Sequence, residues 1–186
     1  MRIIAGEFRG RTLASVGKGD AAAHLRPTTD RTRESLFNML SGGRFDDPIT
    51  DARVLDLFAG TGALGLEALS RGAAHTTFVE MGRKSLALIA QNITLCRATD
   101  RTTILRCDTR KLPTCPDAPY DLIFLDPPYG QKLGEAALTT ALAQGWIAAD
   151  ALIVWEENTP IPPFPGLTLL ESRPYGDTVI SLFRKG

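Results

Sequence analysis

From Arg53 onward, short apolar runs alternate with segments in which apolar residues recur every three or four positions. Val54 to Phe58 and Leu122 to Leu125 read as short buried strands, and Thr76 to Glu80, Thr103 to Leu105 and Ala151 to Glu156 as further strands of the series. Ala63 to Ser70, Arg83 to Arg97 and Leu133 to Gln144 read as helices between them, the second with Leu86, Ile89, Ala90 and Ile93 on its apolar side. Parallel neighbours need long crossovers, so this alternation predicts an α/β domain whose mostly parallel sheet is covered by helices on both faces. In the tail, Leu167 to Glu171 and Thr178 to Phe183 flank a Pro174-Tyr175-Gly176 turn, which adds an antiparallel hairpin at the sheet edge and brings the strand number to seven.

The start of the chain follows another pattern. Residues 1 to 16 hold short apolar stretches around Gly6 and Gly10 with basic residues between them, the pattern of a small hairpin, and Gly17 to Ala23 is a polar, small-residue loop able to move. Pro27 disfavours helix at Arg26, and Thr29 or Asp30 can cap a helix that carries Leu36, Phe37 and Leu40 on one face and Arg31, Arg33 and Glu34 near its first turn. The expected division is an extension over 1–24 and the α/β domain over 25–186.

A chain of 186 residues with 44% hydrophobic content suits one globular domain. No apolar run approaches bilayer-spanning length, and the first ten residues lack a secretory signal's apolar stretch, so the cytoplasm is the default location. No repeat or long heptad pattern demands an assembly, so a monomer is expected. Cys96, Cys107 and Cys115 match neither a paired-cysteine metal site nor a disulfide scaffold, and no metal is expected. Net charge is zero, but residues 1 to 40 hold Arg2, Arg9, Arg11, Lys18, Arg26, Arg31 and Arg33 against Glu7, Asp20, Asp30 and Glu34. Arginine's forked donors suit phosphates and base edges, an excess that gains meaning only beside a catalytic motif.

Candidate chemistry lies at the ends of two predicted strands. Val54-Leu55-Asp56-Leu57-Phe58-Ala59-Gly60-Thr61-Gly62 runs from strand into turn, and Gly60, Gly62 and Gly65 satisfy a G-x-G-x-x-G pattern at a helix start. Glu80 lies 24 residues beyond Asp56, at the end of the next strand, where a carboxylate can accept from both ribose hydroxyls. These features fit NAD nearly as well as S-adenosylmethionine. Two acids favour the methyl donor: Asp56 would repel a pyrophosphate but suits the methionine ammonium, and Asp108 can accept from adenine N6 while the Cys107 backbone meets the ring edge. Phe58 joins this cofactor set. Solvent-facing or helix-capping roles stay open for both acids.

Asp126-Pro127-Pro128-Tyr129 follows Leu122 to Leu125, so it belongs at the carboxyl end of a buried strand, the same edge to which the glycine turn brings its ligand. An exocyclic amino nitrogen is a poor nucleophile because its lone pair is delocalised into the ring. Acceptance of its hydrogens by the Asp126 carboxylate and the Pro127 carbonyl favours a tetrahedral nitrogen aimed at a donor methyl, with Pro128 stiffening the chain and Tyr129 stacking on the base. The plainer alternative is a strand-to-loop turn in which Asp126 caps an amide and Tyr129 fills the core.

Met1-Arg2-Ile3-Ile4-Ala5-Gly6, Arg9-Gly10, Leu25-Arg26-Pro27-Thr28-Thr29-Asp30-Arg31, Arg33-Glu34-Ser35-Leu36-Phe37-Asn38, the Asp56 to Gly72 segment, Phe78-Val79-Glu80 and the D-P-P-Y segment together resemble the RsmD family of small-subunit ribosomal RNA guanine-N2 methyltransferases. The resemblance implies a Rossmann-like class I methyltransferase fold, S-adenosylmethionine as cofactor, and N2-methylation of guanine 966 of bacterial 16S rRNA on an assembled or nearly assembled small subunit. It gives Asp126, Pro127 and Tyr129 the amino group and base, and makes Arg9, Arg11, Arg26, Arg31 and Arg33 candidate RNA contacts. The chain departs from the family at Gly130-Gln131-Lys132-Leu133-Gly134, which is less basic, at Trp155 before Glu156, where a smaller residue is usual, and at Asp177, an acid near a possible substrate rim. The competing readings are an amino methyltransferase acting on adenine or cytosine in DNA, an NAD-dependent oxidoreductase, and a noncatalytic RNA-binding module.

Overall fold

The computed structural model describes residues 1–15 and 29–186. The loop expected over Gly17 to Ala23, and Arg26 and Pro27 ahead of the first helix, lie outside these residues. The described elements are α1 (Asp30–Leu40), β1 (Arg53–Leu57), α2 (Ala63–Ser70), β2 (His75–Glu80), α3 (Arg83–Cys96), β3 (Thr102–Arg106), β4 (Tyr120–Leu125), α4 (Leu133–Ala143), β5 (Ile147–Glu157), β6 (Leu167–Tyr175) and β7 (Thr178–Lys185). Thr29 caps α1, its side chain accepting from Thr32 N at 3.1 Å.

The seven described strands form one sheet in the order β3-β2-β1-β4-β5-β7-β6, parallel except for β7, which runs antiparallel to both β5 and β6. The expected Rossmann-like sheet and terminal hairpin are both present. From β1 the chain builds outward to β2 and β3 on one side and later to β4 and β5 on the other, so the switch point lies between β1 and β4. Their register sets Leu57 beside Leu125, which carries Phe58 and Asp126 out of the sheet at neighbouring positions.

Side-chain alternation divides the core. Val54, Phe78, Leu122, Phe124 and Val154 pack with α1, α2 and α3 on one face, while Leu55, Leu57, Ile123, Leu125 and Trp155 pack with α4 on the other. Asp56 shares the parity of Val54 and therefore faces α2. Strand β5 begins earlier than its apolar run, because Ile147 pairs with Tyr120 before the register shifts and Leu152 pairs with Leu122. The small and polar Ala148 to Asp150 occupy that irregularity, which hides the strand's start from a pattern search.

The N-terminal hairpin is reduced to one antiparallel bridge, Arg2 with Thr12, supported by Gly10 N–H to the Ile3 carbonyl at 2.9 Å and Leu13 N–H to the Met1 carbonyl at 3.0 Å. Ile3, Phe8 and Leu13 are buried in the α1–α3 side of the core, each contributing roughly 1.5–3 kcal/mol by leaving water. Backbone amides of Ile4 and Ala5 donate to the buried Glu67 of α2, and Phe8 N–H donates to Ser70 Oγ at 2.8 Å. Residues 1–15 are thus strapped onto α2 and share its core.

Candidate active site

A cavity of about 500 Å³ opens at the carboxyl ends of β1, β2 and β4. One wall comes from Asp56, Phe58, Gly60, Thr61 and Glu80, and another from Asp126, Pro127, Pro128 and Tyr129. The switch-point geometry brings together the two motifs that lie far apart in sequence.

On the β1–β2 side, the turn is built by backbone. Gly62 caps α2 in the left-handed region at φ +76, where an L side chain is strained. Phe58 also has a positive φ, +62, an uncommon conformation for a bulky residue and one that concentrates at functional sites. Glu80 is oriented by three amides: Gly60 N–H donates to Oε2 at 3.0 Å, and Met81 and Gly82 N–H donate to Oε1 at 2.8 and 2.7 Å. Asp56 is 1% exposed and accepts from Gly65 N–H at 3.0 Å. Burial pushes its carboxyl up to about 7, opposed by the Gly65 bond and reinforced by the Glu80 charge.

Several assignments read from sequence take different places. Gly65 turns toward β2 instead of the cavity: a Cβ there would lie 2.5 Å from Phe78 Cε1 and 2.6 Å from Thr76 Cγ2, so this glycine permits close helix–strand packing. Cys107 and Asp108 are outside the cavity's described lining. Asp108 caps the short turn Thr109–Lys111 and pairs with Arg110 at 2.6 Å; these hydrogen bonds hold its carboxyl well down, to about 2. The carboxylate expected to meet adenine is engaged by Arg110 in this conformation.

On the β4 side, Asp126 is half-buried, Pro127 buried and Pro128 exposed. The Tyr129 hydroxyl donates to Glu156 Oε1 at 2.7 Å and lies 2.9 Å from Thr178 Oγ1. Burial raises the phenol above its ordinary range, the Thr178 bond opposing and the Glu156 charge adding to the shift. The next acid, Glu157, accepts from Gly130 N–H at 3.2 Å. Successive glutamates at the end of β5 therefore clamp both the ring and the backbone of the D-P-P-Y loop. Sequence reading treated Glu156 only as a neighbour of Trp155 and missed Glu157; the available signal was a pair of acids ending a buried strand. Trp155 itself is fully buried on the α4 face, where a Cβ on Gly134 would lie 2.5 Å from Cζ2, so that glycine makes room for the larger residue.

Tyr129 also borders a second, more open groove of about 620 Å³ formed with Thr29, Arg31 and Thr32 at the start of α1, Glu156, and Asp177 and Thr178 of the β6–β7 turn. Among the arginines expected to meet RNA, Arg9 and Arg31 are exposed, and Arg31 lies on this groove. Arg11 is half-buried, bonded to the Leu95 carbonyl and 5.8 Å from the Phe8 ring. Arg33 corrects the expectation: it is fully buried, ion-paired with Asp30 at 2.8 Å and Glu67 at 3.9 Å, and edges the first cavity instead of an outer surface. Arg26 lies outside the described residues.

A doubly wound sheet with a glycine turn, an amide-pinned acid on β2 and D-P-P-Y beyond β4 defines a class I S-adenosylmethionine-dependent methyltransferase, and acids at both Asp56 and Glu80 suit an ammonium and a ribose better than a pyrophosphate. The family model described as "Conserved hypothetical protein 95" matches residues 1–184. Ribosomal RNA small subunit methyltransferase D of Escherichia coli (strain K12) is 39% identical over 158 residues, covering 85% of this chain and 75% of its own. The protein of the same name from Haemophilus influenzae is 34% identical over 191 residues, covering 99% and 93%. A solved Escherichia coli structure described as "Putative methyltransferase yhhF" superposes with a TM-score of 0.83 at 36% identity, covering 100% of this chain and 97% of that one. The chain belongs to the RsmD family of methyltransferases.

Proposed function

We propose that this enzyme methylates the exocyclic N2 of a guanine in small-subunit ribosomal RNA, with guanine 966 of 16S rRNA as its target, acting in the cytoplasm as a monomer on an assembled or nearly assembled subunit. The observation that carries the reading is the β1–β4 register, which sets Asp126 on the wall of the donor cavity while Tyr129 separates that cavity from an open groove. The family relationship and the names of the relatives support the RNA target.

S-adenosylmethionine would be held by Asp56, Phe58, Gly60 and Glu80, with Gly62 shaping the turn from outside the lining, and would supply an activated methyl group. The remaining work belongs to the chain. Asp126 and the Pro127 carbonyl accept the two hydrogens of the guanine amino group, which turns its lone pair out of the ring plane and toward the cavity. Asp126 also stands where the nitrogen sheds its extra proton. The Tyr129 ring, its hydroxyl tied to Glu156, forms a fixed face for the base to stack on. Arg9, Arg11 and Arg31 supply RNA contacts, Arg31 from the α1 start, and residues 1 to 24 and Arg26 are assigned to the same role from the sequence. Phosphate contacts there position the substrate, and the presented loop and pocket select the base.

Labelled methyl donor offered with undermodified small subunits, naked 16S rRNA and duplex DNA tests the proposal. Incorporation confined to the subunits, recovered as N2-methylguanosine at one position, is the expected result. Methyladenine or methylcytosine in the DNA arm would replace this reading with its closest competitor.

A further inference from the structure

The buried Arg33 has donors that the rest of the described protein does not use. Nη2 donates to Asp30 Oδ1 at 2.8 Å and to the Arg2 carbonyl, but Nη1 and Nε have no hydrogen-bond acceptor among the described residues, Nε standing 3.9 Å from Glu67 Oε2 as an ion pair only. Unfilled donors on a guanidinium withdrawn from water are costly, and one that borders a cavity can be completed by a ligand there.

Arg33 borders the donor cavity, and its neighbours locate it there. Arg2, which it bonds, adjoins Met1, whose sulfur lies 3.8 Å from Thr61 Oγ1 in the glycine turn. Glu67, its ion-pair partner, is in the helix that this turn begins. Arg33 therefore stands at the glycine-turn end of the cavity. Asp56, bonded to Gly65 in the first turn of the same helix, faces that end too. A cation and an acid at one end of a cavity complement a zwitterion, and the donor has one zwitterionic part, its amino-acid end.

We propose that Arg33 binds the carboxylate of the methionine end of S-adenosylmethionine through Nη1, with Asp56 beside the ammonium. Arg33 is thus a cofactor-binding residue, and its pairing with Asp30 and Glu67 holds the guanidinium in place for that contact.

The assignment rests on the donor and is independent of the RNA target, so binding alone tests it. Titration calorimetry with the intact protein compares S-adenosylhomocysteine, which has the amino-acid end, with 5′-methylthioadenosine, which lacks it. Arg33→Met is expected to weaken the first about 10- to 100-fold and to leave the second within about threefold; equal losses for both ligands, or none, overturn the proposal. If Arg33→Met does not fold, Arg33→Lys decides: one ammonium cannot serve Asp30, the Arg2 carbonyl and the ligand together, so it should weaken S-adenosylhomocysteine selectively, and equal losses for both ligands, or none, overturn the proposal. In the unaltered protein, decarboxylated S-adenosylmethionine should bind about 10- to 100-fold more weakly than the parent; equal affinity overturns the proposal, and failure of the unaltered protein to bind any of these ligands overturns the cofactor assignment with it.

Discussion

The donor cavity and the groove across Tyr129 are neighbours built by different means. In the cavity, the glycine-turn wall comes from one stretch between Asp56 and Gly82, and its acids are held by main-chain amides: Glu80 by those of Gly60, Met81 and Gly82, Asp56 by that of Gly65. The groove is assembled from the α1 start, the end of β4, the end of β5 and the β6–β7 turn, and side chains such as Tyr129, Glu156 and Thr178 secure it. A cofactor identical in every turnover suits a rigid, backbone-lined receptor. A nucleotide of ribosomal RNA, the proposed substrate, needs an open rim that grips through side chains and then releases.

The sharpest way to separate the two regions is at Asp126, which stands on the cavity wall and to which the proposed function gives the chemistry on the base. Asp126→Ala should cut methyl transfer roughly 10²- to 10⁴-fold while S-adenosylhomocysteine affinity stays within about threefold. A parallel collapse of cofactor binding in calorimetry would show that the two regions are not separable there. The next largest effect falls on the cavity's scaffold. Gly65→Ala forces a methyl against Phe78 and Thr76 and should destabilise the fold by about 1–3 kcal/mol, read as a lowered denaturation midpoint.

Asp56 provides a pH test of the same side. Its folded-state carboxyl, raised to about 7 chiefly by burial, lies above the ordinary unfolded value, so its stabilising contribution is complete below about pH 4 and is lost as pH rises through about 7. An ammonium beside it favours the charged form, so donor affinity should fall as pH drops below about 7, approaching tenfold per unit. Asp56→Asn should flatten that profile; an unchanged slope in the variant would remove Asp56 from ammonium binding. The smallest effect belongs to the groove. Arg31→Gln should weaken subunit docking by about three- to tenfold and lower the salt dependence by about one ion, with donor affinity unaltered. A salt slope equal to that of the parent protein would take Arg31 off the RNA path.

The same contrast governs how much was readable from residues alone. Strand and helix periodicity located α2 at Ala63 to Ser70 and placed nearly every other described element within a few residues, because each was long enough to repeat its apolar spacing. The glycine turn, Glu80 and D-P-P-Y were legible for a related reason: each is a contiguous segment whose backbone needs dictate its residues. Arg33 and Glu156 were not. An arginine near a helix start reads as a solvated cation, and only the packing of residues 1–15 across α1 and α2 seals it inside beside Glu67.

By itself, the sequence determined the alternating elements, the two strand-end motifs and hence the class of chemistry, since these rest on local backbone geometry and on periodic apolar positions. Tertiary structure alone decided that Gly65 serves packing, that Asp108 is engaged by Arg110, that Arg33 faces the donor cavity and that two glutamates of β5 grip the D-P-P-Y loop. Burial and long-range hydrogen bonding choose among the roles open to a charged residue, and neither is encoded at the position where that residue stands.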